Sequence, residues 1–331
     1  MKVLITGGSG FIGINLINYF RAKGDYEIVN IDKAEPIIEA HKKFWVNCNI
    51  MDEDRTLQEF ERFQPDYVIH LAARTDTLSD KLEDYEENHI GTKHLLNVIK
   101  KTPSIKRALI TSTQYVYKSD DTPFPLTDQD YKPHTIYGQS KVLTEQYTND
   151  ANLTCEWAIV RPTNIWGPWH MRYPNELWRI IDKGMYYHPV QHKVIRTYGY
   201  VKNIVHQIYN ITLAAPELVN KKVFYVGDPS IDSYDWLNEL SMQLTGKKIK
   251  RLPKMIFKGI ALGGDVLRMI KIPFPLYSKR FNNMIEDYPA PTEKTVELFG
   301  VAESDLSKNV QETVSWIRGE GKQYFPYWNS K

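Results

Sequence analysis

Tyr137 and Lys141 stand four positions apart in Tyr137-Gly-Gln-Ser-Lys141, a spacing that puts a phenol and an ammonium on one face of a helix. A phenol with its ordinary pKa near ~10 exchanges protons poorly at neutral pH and needs a nearby cation, which Lys141 supplies. The pair Tyr-x-x-x-Lys also recurs by chance. Its weight comes from Ser112-Thr113, which closes the apolar run from Ala108 and sets a hydroxyl at the carboxyl end of a strand. Such a trio moves a proton on and off a substrate oxygen while Thr113 hydrogen-bonds the same oxygen.

Thr6-Gly7-Gly8-Ser9-Gly10-Phe11-Ile12-Gly13 spaces its glycines as GxxGxxG. Glycine allows a tight turn, lets a backbone approach a pyrophosphate, and lets a helix pack close to a sheet. Plain turns also collect glycines, but this one follows an apolar run and opens a helical pattern, which points to a dinucleotide at the helix N-terminus. Asp32 lies 19 positions past Gly13, near the offset at which a carboxylate accepts from the adenosine ribose. It also repels a 2′-phosphate, so NAD is favoured over NADP, with neighbouring Lys33 pulling the other way. Read alone, Asp32 is also an ordinary helix cap.

The elements that must hold these residues alternate. Val3 to Ile5, Ile28 to Ile31, Trp45 to Asn47, Tyr67 to Leu71, Ala108 to Thr113 and Trp157 to Arg161 read as strands. Helical patterns fall at Phe11 to Ala22, near Asp54 to Phe63, up to about Lys100, and from Tyr137 to about Asn149. The order predicts an α/β fold, a Rossmann-type doubly wound parallel sheet covered on both faces. Past Arg161 the alternation decays among Pro162, Pro168, Pro174 and Pro189, which marks a smaller, discontinuous lobe. Arg196 to Leu213 and Val223 to Val226 read as a helix and a strand that rejoin the first part. The expected division is 1–165 with about 196–227 as the dinucleotide-binding domain, and 166–195 with 228–331 as the substrate lobe.

The 331 residues carry 42 Lys and Arg against 40 Asp and Glu, a net charge of +2 that offers no global field for nucleic acid. Cys48 and Cys155 are too few for a disulfide framework and read as free thiols. No run has the ~18 apolar residues of a membrane span, and Thr6 to Gly10 interrupt any signal-peptide character, so cytoplasmic residence is expected. His188, His192 and His206 lack a zinc pattern, and no metal is expected. His70, on an apolar strand, reads as a core histidine. Trp166, Trp169, Tyr173, Trp178, Tyr186 and Tyr187 read as the packed core of the lobe. Lys247 to Lys254 reads as a solvated basic face, and Met255 to Ile270 as a helix covering the site.

Together these residues resemble an extended short-chain dehydrogenase/reductase of the NAD-dependent nucleotide-sugar epimerase/dehydratase group, motif by motif over about residues 1 to 215. The glycine motif is Gly7, Gly10 and Gly13, and the ribose acid is Asp32. His70-Leu71-Ala72-Ala73 resembles the fourth-strand signature, Asn88 with Gly91-Thr92 the NxxGT helix, and Arg161 to Pro168 the RPxNxYGP segment. Arg196 with Tyr200-Val201 resembles the RxxxYV element. The resemblance implies catalysis by Thr113, Tyr137 and Lys141. It implies cofactor contacts from Gly7, Gly10, Phe11, Ile12, Gly13, Asp32, Lys33, Asn49, Ile50, Leu71, Ala72, Ala73, Asn88, Tyr137, Lys141 and Pro162. Thr75, Thr113, Asn164 and Arg196 are implied as substrate contacts, Arg196 on a nucleotide diphosphate.

The departures narrow the reaction. Gln114 and Tyr115 follow Thr113 where a 4,6-dehydratase carries an acid, so dehydration is not expected. Asn49 stands where many relatives have Asp, and Lys118 where they have Gly, the latter without a derivable consequence. An NAD-dependent nucleotide-sugar epimerase is the leading reading, and a nucleotide-sugar 4-ketoreductase or dehydrogenase fits the same residues. The stretch Pro273 to Asn283 resembles 3β-hydroxysteroid dehydrogenase-like members. A non-catalytic NAD-binding sensor is least expected, since it has no need of Thr113, Tyr137 and Lys141 together. Apolar positions Leu95, Leu96, Val98 and Ile99 on one helix, and Val142, Leu143 and Tyr147 on another, predict a homodimer through a four-helix contact.

Overall fold

The structure is a computed structural model that describes residues 1–118, 128–190, 193–272, 274 and 276–331. His192 and Pro273, both singled out above, lie outside the described residues. The first half runs β1 (Lys2–Thr6), α1 (Phe11–Lys23), β2 (Glu27–Asp32), β3 (Trp45–Asn47), α2 (Glu53–Phe63), β4 (Tyr67–His70), α3 (Glu86–Lys100), β5 (Arg107–Thr111), α4 (Ile136–Asp150), β6 (Glu156–Pro162) and β7 (Asn164–Trp166). There follow α5 (Arg179–Asp182), β8 (Tyr187–Val190), β9 (Ile195–Arg196), β10 (Tyr198–Tyr200), α6 (Val201–Leu213), α7 (Pro216–Val219), β11 (Lys222–Val226) and β12 (Ile231–Asp232). The chain ends with α8 (Ser233–Thr245), β13 (Lys250–Pro253), α9 (Lys254–Met269), α10 (Ser278–Ile285), α11 (Glu293–Phe299), α12 (Leu306–Arg318) and α13 (Pro326–Asn329).

Seven strands form one parallel sheet in the order β11-β6-β5-β4-β1-β2-β3. The β-branched runs are buried on both faces, as a parallel sheet between helices demands. One layer packs Leu16, Ile17 and Phe20 of α1 with Ile204 and Ile208 of α6, and the other packs Phe60, Leu95 and Ile99 beneath α2 and α3. Thr6 is in register with Ile31 on one side and His70 on the other, so the carboxyl ends of β1, β2 and β4 align. The strand order reverses between β1 and β4, the position at which open α/β sheets leave a ligand crevice.

The chain divides into two compact units. The first is Met1–Trp169, Tyr198–Pro229 and Ala290–Ser304, and the second is His170–Thr197, Ser230–Pro289 and Asp305–Lys331. Residues 290–304, placed by the sequence in the lobe, belong to the first unit. Phe299 joins the core beside Phe224 with ring centroids 5.3 Å apart, and Asn210 donates to the Phe299 carbonyl at 2.9 Å. The helix expected from Arg196 starts only at Val201, because Tyr198–Tyr200 pair in parallel with Asn164–Trp166. That pairing also splits the expected aromatic core. Trp166 packs on Tyr200 in the first unit, Tyr173 and Trp178 pack with Trp236 in the second, and Tyr187 is exposed.

Leu95, Leu96, Val98 and Ile99 are all buried within the protein's own core, so the second apolar stripe of α3 has an intramolecular partner. The dimer expectation loses that support, and Val142, Leu143 and Tyr147 of α4 are half-buried. In the second unit α8 packs on α12, β8 pairs with β13, and α9 packs on α10 through Phe257, Ala261 and Phe281. No helix among the described residues is long and apolar enough to cross a membrane.

Candidate active site

The turn after β1 is built by close approach. Gly7 has φ +74°, and a Cβ there would lie 2.5 Å from the Ala72 nitrogen, so side chains are excluded both by conformation and by the end of β4. A Cβ on Gly13 would meet the Gly8 Cα at 2.4 Å, which seats α1 against its own turn. Gly10 differs: it caps α1 with no side chain, and a Cβ there would have a single close neighbour, the Gly7 carbonyl at 3.3 Å. The helix N-terminus therefore keeps its partial positive charge uncapped. Asp32 at the end of β2 accepts from the Ser9 N–H at 3.0 Å and the Ala34 N–H at 2.9 Å, one bond to each oxygen. Asn30 braces the same turn, accepting from the Gly8 N–H and donating to the Ser9 hydroxyl.

Thr113 follows β5, and Tyr137 and Lys141 lie on the inner face of α4, whose first turn is capped by Thr135 accepting from the Gly138 N–H. All three side chains are buried, and Thr113 Oγ1 accepts from the Tyr115 N–H at 3.3 Å. Burial pushes the phenol up to about 12, with Thr113 pulling the other way. Lys141 is held down at about 8, again by burial, and Glu145 opposes the shift. Its ammonium donates to the Thr111 carbonyl at 2.7 Å. Desolvation dominates both groups, and Lys141 is not among the causes of the phenol's shift.

Several expected contacts turn out to brace the site. Asn88 donates to the Arg74 carbonyl and to Ser140 Oγ, each at 2.9 Å, and accepts from the Arg74 N–H at 2.7 Å. Both its amide hydrogens are thus spent on tying the loop after β4 to α4, which leaves none for a cofactor. His70 is a core histidine, as expected, with burial holding its ring at about 3. Thr92 Oγ1 spends its hydrogen on the Asn88 carbonyl, so His70 Nε2 donates to Thr92 and Nδ1 accepts from Thr6. Ile50 is buried against Gly91, where a Cβ would come within 2.8 Å of it. Leu71, Ala72 and Ala73 follow β4 half-buried, and Pro162 ends β6 in register with Val226.

The remaining expected residues scatter. Lys33 forms an ion pair with Glu87, Asn49 accepts from the Met51 N–H, and Thr75 is exposed. Asn164 Oδ1 lies 3.5 Å from the Tyr115 hydroxyl, which donates to it. Arg196 belongs to the second unit, where its guanidinium donates to the Glu286 and Asn283 carbonyls.

Sequence reasoning passed over Glu145. Buried one turn beyond Lys141, it accepts two bonds from Arg161, at 2.9 and 2.7 Å, and one from Ser112, locking α4 to β5 and β6. The spacing Tyr137-Lys141-Glu145 would have flagged that face, since a third polar residue four positions on shares it. Tyr85 and Tyr115 were also missed: their rings lie 6.2 and 6.1 Å from that of Tyr137. Gln114 is buried, and its amide atoms have no hydrogen-bond partner among the described residues.

A model of the NAD dependent epimerase/dehydratase family matches residues 3–227. The chain belongs to that family. Within the family it is 31% identical over 169 residues to a GDP-6-deoxy-D-talose 4-dehydrogenase of Aggregatibacter actinomycetemcomitans, covering 50% of this chain and 54% of the relative. It is 26% identical over 288 residues to a 3 beta-hydroxysteroid dehydrogenase/Delta 5-->4-isomerase of Mycobacterium tuberculosis, covering 79% of this chain and 73% of that one. The fold is that of the UDP-glucose 4-epimerase of Thermotoga maritima solved with UDP-glucose, with TM-score 0.72, 20% identity, and 97% and 99% of the two chains covered. The chain spans little more than half the length of the first curated relative. Proteins named as dTDP-glucose 4,6-dehydratases also match, so membership of this epimerase/dehydratase family gives no support to excluding dehydration.

Proposed function

We propose that this family member binds NAD at the Gly7–Gly13 turn and epimerises a nucleotide-diphosphate sugar. The observation that carries the reading is the common burial of Thr113, Tyr137 and Lys141, with Lys141 one helical turn beyond Tyr137 on α4. The uncapped N-terminus of α1 and the open position beside Gly10 suit a pyrophosphate. Asp32, with one accepted bond on each oxygen, keeps lone pairs for ribose hydroxyls. When bound, the dinucleotide supplies a reversible hydride acceptor and a positive charge.

Tyr137, protonated in its buried setting, is matched to donating a hydrogen bond to a sugar oxygen, and Thr113 stabilises the phenolate it becomes when it takes the hydroxyl proton. Because an epimerase re-forms a hydroxyl on the same oxygen, Tyr137 returns that proton at the end of the cycle. Lys141, with its pKa at about 8, holds its own proton weakly enough to exchange it near neutral pH. Gln114 and Tyr115 bring no carboxylic acid beside Thr113, which keeps epimerisation ahead of elimination of water in this reading. A nucleotide-sugar 4-ketoreductase or dehydrogenase is the second reading, favoured by the talose 4-dehydrogenase match.

A panel of nucleotide sugars, incubated with and without NADH and followed by NMR, tests the proposal. An epimer formed without net cofactor turnover is expected, and Tyr137→Phe should slow it by at least ~100-fold. Stoichiometric NADH use would replace epimerase with reductase, loss of water would make the enzyme a dehydratase, and inertness of the whole panel would overturn the substrate class.

A further inference from the structure

The outward half of α9 is apolar from end to end. Phe257, Ala261 and Gly264 turn inward, Phe257 stacking on Phe281 with ring centroids 6.2 Å apart. At 3.6 residues per turn, Met255, Leu262, Val266 and Met269 fall on the opposite side, and Ile256 and Ile260 extend the same surface. Met255, Val266 and Met269 are 85%, 60% and 83% exposed. The four charged residues of the helix, Lys254, Lys258, Asp265 and Arg268, all fall along one flank, where the exposed Lys254, Lys258 and Arg268 border the apolar face. Scattered exposed apolar residues are ordinary, but a continuous face of this kind marks an interaction surface.

Charge identifies the occupant. Between residues 247 and 280 the sequence holds ten Lys and Arg and a single acid, Asp265, in a chain of net charge only +2. Asp265 is turned inward, accepting from the Ser278 N–H and hydroxyl. An apolar helical face bordered by cations lies flat in an anionic bilayer interface, its side chains among the acyl chains and its ammonium groups at the phosphates. A protein partner ordinarily exchanges about one hydrogen bond per 100–200 Å² of contact, and this face has no side chain that could make one. At 16 residues, or about 24 Å, and with charges along its length, α9 is suited to lying on a membrane and not to crossing it.

We propose that α9 is a monotopic membrane-binding helix that docks the enzyme on anionic lipid. The inference stands apart from the choice of substrate and reaction, since no residue of the dinucleotide site takes part. Flotation of the full chain with phosphatidylcholine vesicles, with or without phosphatidylserine at about one third of the lipid, tests it. Binding to the anionic vesicles that weakens in high salt is expected. Leu262→Glu/Val266→Glu should reduce the bound fraction at least about tenfold with an unchanged circular dichroism spectrum and melting temperature, because both positions are exposed. Lys254→Gln/Lys258→Gln should weaken binding roughly fivefold for each charge removed. Absence of binding, binding indifferent to lipid charge, or equal binding by the glutamate variant would overturn the proposal. So would sedimentation showing that the wild type self-associates through this face while ignoring vesicles.

Discussion

Lys141 is the most informative residue to perturb, because the feature that suits it to chemistry should cost the fold stability. The residue is 1% exposed, and burial lowers its pKa from 10.5 to about 8. That difference of about 2.5 units is worth roughly 3 kcal/mol of destabilisation while the group is charged in both states. The unfolded chain binds the proton more tightly, so the wild type gains stability as pH rises from about 8 towards 10.5. Lys141→Met keeps the apolar stem and removes the charge, and Glu145 is left with its partner Arg161. The variant loses the bond to the Thr111 carbonyl, which costs about 1–2 kcal/mol. The variant should therefore be about 1–2 kcal/mol more stable than the wild type at pH 7, and by pH 10 the advantage should be gone, with the wild type level or ahead by up to about 1 kcal/mol. Paired urea unfolding curves at pH 7, 8, 9 and 10 measure this difference. A variant less stable than the wild type at pH 7, or an advantage independent of pH, would refute the reasoning that Lys141 is a poorly compensated buried charge.

Two further outcomes follow from the same geometry. NAD should bind at least about tenfold more tightly than NADP by calorimetry, since the Asp32 carboxylate repels a 2′-phosphate and Lys33 is already paired with Glu87; equal affinities would show that another cation dominates. Glu145→Gln should destabilise the protein by about 3–5 kcal/mol in urea unfolding, because it strands the buried Arg161 guanidinium, and a loss below about 1 kcal/mol would contradict the role given to that pair.

Much of the site was readable because it is local. The turn from Thr6 to Gly13, Asp32 at the next strand's end, and Tyr137 with Lys141 on one helical face are set by short-range geometry, which spacing encodes directly. The parallel sheet was readable for the same reason: β-branched runs alternating with helical periods leave few other arrangements. What spacing could not show is what burial does once distant segments meet. Lys141 and Tyr137 were legible as a pair, but only their common enclosure pushes one down and the other up. Asn88 matched a cofactor motif, yet its amide hydrogens go to Arg74 and Ser140, the latter 52 positions away. The return of residues 290–304 to the first unit depends on Phe299 meeting Phe224, and the strand character of Tyr198–Tyr200 on pairing with Asn164–Trp166. The apolar pattern of α3 could not say whether its second stripe faced solvent or the protein's own core. A pattern in one segment fixes which side chains share a face, whereas the partner of that face, and so its charge and exposure, is decided by tertiary packing.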